Sequence, residues 1–463
     1  MNQQSPLMGG TIAAISTSLT PSGIGIVRMS GPEAFSIAKE VVVAREDFTA
    51  QEHSRRLIFG RVVDEEGPLD EVLAVAFHAP NSYTQEDMVE LQVHGSPVVL
   101  EEILALLLRK GAVLAEPGEF TRRAYLNGRM DLTQAEAVMD LIESKNLLSS
   151  RQSMSQLKGG LLELIEEERR KLKDLLAGLV ASIEFPTDEV EDIDETASLE
   201  AAEEVLRKLR ELRDTADTGR MIKEGIKTAI IGKPNVGKSS LLNRLLRTDR
   251  AIVTEIPGTT RDTLEESYRM GSVSLILTDT AGIRTTDDVV EQAGIERSLK
   301  ELKESDLILA VFDGSRPLEE EDRQILDMLG DKIAIALINK ADLPQKWTME
   351  ELVDYIPRER IFSTNFTGPD SLQDLQDLVK ELFLGGVLPE KMSPRITNLR
   401  QKQLLDEALD SLLAFIQGME AGVYLDLLEV HLQDAYEKLG SITGMHVEDE
   451  LMDHVFSAFC IGK

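Results

Sequence analysis

The segment Gly232-Lys-Pro-Asn-Val-Gly237-Lys238-Ser239 has the spacing G-x-x-x-x-G-K-[ST], a pattern whose chemistry is phosphate binding. Glycines let successive backbone N–H groups turn inward, and the helix that must follow offers its positive end to the anion. Lys238 supplies a cation for the β- and γ-phosphates, and Ser239 a hydroxyl for Mg²⁺. Three further motifs follow in order. Asp279-Thr280-Ala281-Gly282 offers a carboxylate for the Mg²⁺ shell and a glycine N–H for the γ-phosphate. Asn339-Lys340-Ala341-Asp342 offers a carboxylate that can accept from guanine N1–H and the 2-amino group. Adenine lacks both donors, so an unpaired acid there disfavours ATP. Ser363-Thr364-Asn365 falls where a base-contacting loop belongs and departs from the commoner Ser-Ala-Lys form. Together these motifs predict a guanine-nucleotide site that hydrolyses GTP.

Two positions go beyond a generic switch. Where Ras-type proteins place a glutamine that orients the attacking water, this chain has Ile283, which has no polar group to do so. Arg284, Asp287, Asp288 and Glu291, just downstream, are the candidates for that work. Asn235 puts a side-chain carbonyl beside the phosphates. A hard oxygen there suits a monovalent cation that stabilises transition-state charge, and it equally suits a local hydrogen bond within the loop.

These motifs need a sheet to hold them. Lys227–Ile231 reads as a buried strand before the phosphate loop, with a helix over Ser240–Leu246 after it. The runs Val273–Leu277 and Ile333–Ile338 end at the second and third motifs, which implies a Ras-like doubly wound sheet over residues 221–384. Residues 8–125 read as α/β, with strand-like runs Ile24–Met29, Val72–His78 and Val89–Val93 and a helix near Val98–Arg109. Beyond that, Leu161, Ile165, Leu172, Leu176, Leu179 and Ile183 recur at helical spacing, interrupted by the polar stretch Glu166–Lys171. Leu425, Leu428, Leu432, Ala435, Leu439 and Ile442 form a second seam. The expected organisation is an N-terminal α/β domain (1–125), a discontinuous helical domain (126–220 and 385–463), and an inserted GTPase domain (221–384).

Composition narrows the setting. The chain has 463 residues and a net charge of −32, so its surface repels phosphate backbones, and any RNA must be held by a basic partner or a local basic patch. There is no signal-peptide pattern and no run of apolar residues long enough to span a bilayer, so a cytoplasmic location is expected. The one cysteine, Cys460, excludes an intrachain disulfide. It reads either as a small hydrophobe beside Phe459 or as a reactive thiol.

Other stretches carry a family resemblance. They are Gly23-Ile-Gly-Ile-Val-Arg28-Met-Ser-Gly31, Asn81-Ser-Tyr-Thr84, Glu90-Leu-Gln-Val-His-Gly95, Pro117-Gly-Glu-Phe-Thr-Arg-Arg-Ala-Tyr-Leu-Asn127, Gly258-Thr-Thr-Arg-Asp262 and the terminal Phe459-Cys-Ile-Gly-Lys463. Over nearly the whole chain the sequence resembles the MnmE (TrmE) family of tRNA uridine modification GTPases. The resemblance implies a folate-binding-like N-terminal domain that forms a homodimer, a helical domain and an inserted G domain. It also implies a flavoprotein partner, MnmG, which carries FAD. With that partner a carboxymethylaminomethyl or aminomethyl group is added to C5 of the wobble uridine, drawing on 5-formyltetrahydrofolate or a related folate. By motif position, the GTP-binding residues are Asn235, Val236, Gly237, Lys238, Ser239, Ser240, the switch stretch Thr254, Glu255, Ile256, Pro257, Gly258, Thr259 and Thr260, the two later motifs, and Ser363 and Thr364. Mg²⁺ falls to Ser239 and Thr260, and K⁺ to Asn235, Thr254, the Ile256 carbonyl and Thr259. Glu291 aligns with the water-orienting acid, so Glu291, Lys238 and Thr260 form the catalytic set. Arg28, Glu90, Arg129 and Lys463 match folate-contacting positions, Arg129 standing where the family often has Lys.

The competing reading is a ribosome-assembly switch of the Era or Der type, which binds RNA without modifying it. Such proteins carry a basic RNA module or tandem G domains, whereas this chain has one G domain in acidic surroundings. The Glu291 assignment makes a direct prediction. Glu291→Ala should lower kcat by about 10²–10³, the loss typical of one transition-state-positioning group, with GTP affinity little changed. The same substitution at Arg284, Asp287 and Asp288 is the control, and a near-normal rate for the Glu291 variant moves the role elsewhere.

Overall fold

Alternation along two strands decides where the N-terminal chemistry lies. The computed structural model describes residues 9–184, 194–248, 266–270, 273–277, 304–366, 372–384, 395–445 and 449–462. It divides into two compact units, Met1–Met139 with Glu437–Lys463, and Asp140–Tyr436. This is a coarser division than the four segments expected from sequence.

In the first unit, β1 (Ile12–Ile15), β2 (Ser22–Ser30), β3 (Val42–Ala44), β4 (Ile58–Val63), β5 (Pro68–Phe77), β6 (Met88–Gly95) and β7 (Val113–Leu114) form one sheet. Its order is β3-β4-β5-β6-β2-β1-β7, with only β1 and β7 parallel. Successive side chains on a strand point to opposite faces. Val27, Met29, Val89, Leu91 and Val93 therefore turn to one face, where they pack with Leu100, Ile103 and Leu107 of α2 (Pro97–Arg109) and Ile37, Ala38 and Val41 of α1 (Ala34–Val41). Arg28 and Glu90 turn to the other face, and the antiparallel register sets them directly opposite.

That second face is covered in part by α3 (Glu119–Leu126) and the C-terminal tail. Ile12 and Ala14 pack with Ala115 and Phe120. The helix Asp449–Ser457 sends Met452 and Phe456, with Phe459 beyond it, against Ala124, Met130, Leu132 and Ala135. Here Met452 is buried, while Leu451 and Val455 are only half-buried. Cys460 is exposed, so the reading of it as a packed hydrophobe does not hold.

The second unit holds the other sheet, with β8 (Ile226–Ile231), β9 (Glu266–Met270), β10 (Val273–Leu277), β11 (Leu307–Asp313), β12 (Ala334–Asn339) and β13 (Ile361–Ser363) in the order β13-β12-β11-β8-β10-β9. Every pairing is parallel except β9 with β10. A mostly parallel sheet is covered on both faces, so its strands read as continuous apolar runs. Leu307, Leu309 and Val311 enter one core, and Ile308, Ala310 and Phe312 enter the other. Because β8 has β10 on one side and β11 on the other, the chain reverses its winding there. Ligands bind at the carboxyl ends of strands at such a switch point.

The helices of the remaining chain are α4 (Leu132–Ile142), α5 (Leu147–Leu157), α6 (Gly160–Glu184), α7 (Glu195–Arg213), α8 (Ala216–Glu224), Leu399–Glu420 and Leu425–Thr443. The first and last of these cross the unit boundaries. The polar stretch inside α6 does not break the helix. Arg169 is buried, bonds Glu166 at 2.7 Å, and sits over the Tyr436 ring at 4.3 Å. Residues 185–193 lie outside the described residues, and Asp194 caps α7 by accepting from Ala197 N at 3.0 Å. Among the described residues, no helix is long and apolar enough to cross a membrane.

Candidate functional site: a phosphate loop and a polar cleft

The phosphate loop springs from the end of β8, and α9 (Lys238–Thr248) starts immediately after it. Val236 turns its side chain into the core below, which anchors the loop from beneath. Its carbonyl accepts a 2.8 Å hydrogen bond from Asn339 Nδ2. Gly237, at φ 112, leaves room for that amide, since a Cβ at position 237 would collide with Asn339 Nδ2. Asn235 has φ 63, a left-handed conformation that asparagine tolerates better than most residues, and its side chain is exposed on the loop. Lys238 Nζ donates to the carbonyls of Gly232 at 2.6 Å and Lys233 at 2.7 Å. Burial pushes its ammonium below the usual lysine range. Ser239 and Ser240 are exposed in the first turn of α9, where a hydroxyl suits a Mg²⁺ ligand.

Sequence reasoning missed the supports of this loop. Lys233 is buried and pairs with Glu319, with Glu321 at 3.0 Å and with Asp322 at 3.5 Å. Burial alone would lower its pKa, but the contacts with Glu319 and Glu321 outweigh it and hold the group above its usual range. Arg316 Nη2 donates to Pro234 O at 3.3 Å. Nothing local in the sequence marks these partners, because they lie more than eighty positions away.

The base-recognition loop is held as firmly. Lys340, at φ 64, bonds Asp313 Oδ2 at 2.6 Å. Burial would raise Asp313, yet its bonds from Lys340 and Ser315 hold it below the usual carboxylate range. Trp347 Nε1 donates to the Asp313 carbonyl at 3.1 Å. Ala341 N donates to Thr364 O at 3.1 Å, tying the third motif to the fourth. Asp342 and Ser363 are exposed and Thr364 is buried. The structure therefore brings together Asn235, Val236, Gly237, Lys238, Ser239, Ser240, Asn339, Lys340, Ala341, Asp342, Ser363 and Thr364. Thr254, Glu255, Ile256, Pro257, Gly258, Thr259, Thr260, Asp279, Thr280, Ala281, Gly282, Glu291 and Lys463 lie outside the described residues.

In the first unit, Arg28 meets Glu90 Oε1 through Nη2 at 2.7 Å and Nε at 2.9 Å. Arg129 stacks over the Tyr83 ring at 4.5 Å and donates to the Tyr83 carbonyl at 2.9 Å. Glu90, Arg129, Tyr83, Arg55, Phe77 and Met88 line a cleft of about 500 Å³. The tail reaches the same place. Gly462, at φ 92, lies so close to Ile15 O that a Cβ would collide with it. Its carbonyl accepts from Ser16 Oγ at 3.1 Å and Arg28 Nη1 at 3.4 Å. Three of the four residues matched to folate contacts thus converge, and Gly462 lies beside Arg28.

A doubly wound sheet with a phosphate loop at its switch point and an Asn-Lys-x-Asp loop beside it defines a P-loop GTPase. Two family models together cover almost the whole chain: "GTP-binding protein TrmE N-terminus" over residues 11–129 and "MnmE helical domain" over 132–460. The chain belongs to the MnmE family of tRNA modification GTPases, and it is a GTPase acting in tRNA modification. The tRNA modification GTPase MnmE of Finegoldia magna is 44% identical over 98% of this chain and 100% of its own length. The Enterococcus faecalis protein of the same name is 45% identical over 98% of each. A solved structure of Aquifex aeolicus Era bound to GDP and AlF4⁻ is 29% identical, covering 41% of this chain and 67% of its own, with a TM-score of 0.26. A likeness of that extent fixes neither fold nor function.

The exposed Asp342 carboxylate is the candidate for base selection. Asp342→Asn should weaken GTP binding by roughly 10–100-fold, the worth of hydrogen bonds to a charged group. It should also favour xanthosine triphosphate, whose 2-oxo group accepts from the new amide. Direct binding of both nucleotides checks this, and retained preference for GTP over XTP would contradict the assignment.

Proposed function

We propose that this GTPase works with the flavoprotein MnmG, the FAD residing in that partner, to place a carboxymethylaminomethyl or aminomethyl group on C5 of the wobble uridine. In this reading the chain is a cytoplasmic homodimer built of segments 1–125, 126–220, 221–384 and 385–463. The one-carbon unit comes from 5-formyltetrahydrofolate or a related folate held at the cleft beside Arg28. The observation that supports this is the convergence of Arg28, Glu90, Arg129 and the Gly462 carbonyl on one face of the first sheet. Glu90 accepts from pterin N–H groups, the arginines face the anionic glutamate tail, and the Tyr83 ring offers a flat surface for stacking. Lys463, next to Gly462, adds a further cation. When bound, the folate supplies the one-carbon unit; the chain's residues bind and orient it.

At the nucleotide, Lys238 neutralises the β- and γ-phosphates, Ser239 and Thr260 hold Mg²⁺, and Glu291 orients the attacking water. Asn235, Thr254, the Ile256 carbonyl and Thr259 hold K⁺, which supplies the charge an arginine finger provides elsewhere. The exposed side chain of Asn235 on the phosphate loop supports this reading.

Two measurements test the proposal. GTP hydrolysis should be markedly faster in K⁺ than in Na⁺ at equal ionic strength, because Na⁺ is too small to bridge the same oxygens. Asn235→Ala should erase that difference while leaving Mg·GDP binding largely intact; matching wild-type rates in the two salts would end the cation assignment. For the cleft, calorimetry of the full-length protein should show 5-formyltetrahydrofolate binding that weakens at least tenfold in Arg28→Gln, the loss of one charge-assisted pair. No folate binding to the full-length protein would remove the cleft from the mechanism, whatever the GTPase does.

A further inference from the structure

The chain has a net charge of −32, yet Arg207, Lys208, Arg210 and Arg213 fall within seven residues at the end of α7, all of them exposed. Steps of three on a 3.6-residue helix keep Arg207, Arg210 and Arg213 within a sector of about 120°. The start of the helix Leu399–Glu420 adjoins this end. Ile396 N donates to Thr215 Oγ1 at 3.3 Å, and Lys402 Nζ lies 3.8 Å from Asp217. Lys402 thereby joins the cluster, as does the helix N-terminus behind Asn398 with its partial positive charge. Over residues 207–213 four cations stand against one acid, Glu211, with Asp214, Asp217 and Asp406 beside them, while the chain as a whole is the reverse.

Those acids do not tie the cations down. The Arg207–Glu211 pair at 2.7 Å has both side chains more than half exposed. Lys208–Glu211 at 3.4 Å and Arg213–Asp214 at 2.9 Å are also on the surface. Exposed pairs contribute about 0–1 kcal/mol each, so a stronger anion displaces them. Among the described residues, none engages the Arg210 guanidinium in a hydrogen bond or an ion pair.

We propose that the last two turns of α7, with the start of the Leu399–Glu420 helix, form a surface that grips the phosphate backbone of the tRNA substrate. An acidic protein that acts on tRNA repels it at a distance, so its attraction must be local. Arginine forks match phosphate oxygens in a way that lysine does not, and three of the four cations on α7 are arginines. Arg207 to Arg213 spans about 9 Å of helix axis, which reaches more than one phosphate of a strand. Contacts of this kind position the RNA and do not read its sequence.

The test is fluorescence anisotropy of an unmodified tRNA transcript with full-length protein across a range of KCl. Two variants are compared with wild type: Arg207→Gln/Arg210→Gln/Arg213→Gln, and Glu211→Gln/Asp214→Asn. The first should bind roughly tenfold or more weakly, with a slope of log K against log [salt] shallower by about two to three, one per lost phosphate contact. The second should bind more tightly than wild type, a gain that misfolding does not produce. GTP hydrolysis should be unchanged in both. Equal affinity and slope in all three proteins overturn the proposal, as does a weaker first variant with an unaltered slope. Absence of tRNA binding by wild type overturns it too. So does a first variant that keeps tRNA affinity but loses the flavoprotein partner, since the surface would then serve a protein.

Discussion

The nucleotide site depends on the hydrogen bond from Asn339 Nδ2 to Val236 O, which joins loops 103 residues apart in sequence. GTP must be held at its phosphates by one loop and at its base by the other, so the separation of the two loops is itself a binding determinant. Both ends of the bond are fixed independently. Val236 is rooted in the core of the sheet, and Asn339 is the last residue of β12, buried between β11 and β13. An unsatisfied buried carbonyl costs about 1–3 kcal/mol, so the bond is not readily surrendered to solvent. The need for glycine at 237 follows from the same contact. That residue is usually explained by the phosphate alone, but here the amide of Asn339 already fills the space a side chain would take.

Much of this was legible in the sequence, because each nucleotide motif is local. A glycine-rich turn, a following helix and a preceding apolar run all fall within about twenty residues of one another. The strands carrying the motifs were legible for a related reason, since burial on both faces gives them unbroken apolar runs. The first sheet was harder. β2, β5 and β6 stood out, but β3 and β7 are three and two residues long, too short to show a period. β4 alternates cleanly but lies between turns that sequence alone does not rank. The Arg28–Glu90 pair is a matter of register across 62 residues, and only the family resemblance suggested that the two meet. Lys233 was invisible as a support because its acidic partners sit at the start of another helix.

The distribution of charge explains why so acidic a chain stays compact. Self-repulsion acts against folding wherever acids crowd without compensation. Here several of the buried or half-buried cations are placed among acids. Arg123, almost fully buried, bonds Glu119 at 2.7 Å and Glu86 at 3.2 Å, and Lys233 collects three more acids. Arg220 reaches Asp306 at 2.8 Å and Lys223 reaches Asp140 at 2.7 Å. With these cations committed inside, the exposed cations on α7 meet their acids, Glu211 and Asp214, only at the surface.

The boundary between helices and nucleotide sheet is sharp in sequence and blurred in packing. Asn146 caps α5 by accepting from Ser149 N at 2.8 Å, while its amide donates to Ser274 Oγ on β10 at 3.1 Å. Leu148 on α5 and Ile222 on α8 enter the same core as Val236 and Leu275. β10 ends two residues before Asp279, whose carboxylate is expected to hold the Mg²⁺ shell. The strand that leads to that carboxylate is therefore bonded directly to a helix outside the GTPase segment. Isolating residues 221–384 would expose Ile222 and leave Ser274 without its buried partner. Any displacement of β10 must either carry the cap of α5 along or break a buried bond worth about 1 kcal/mol net.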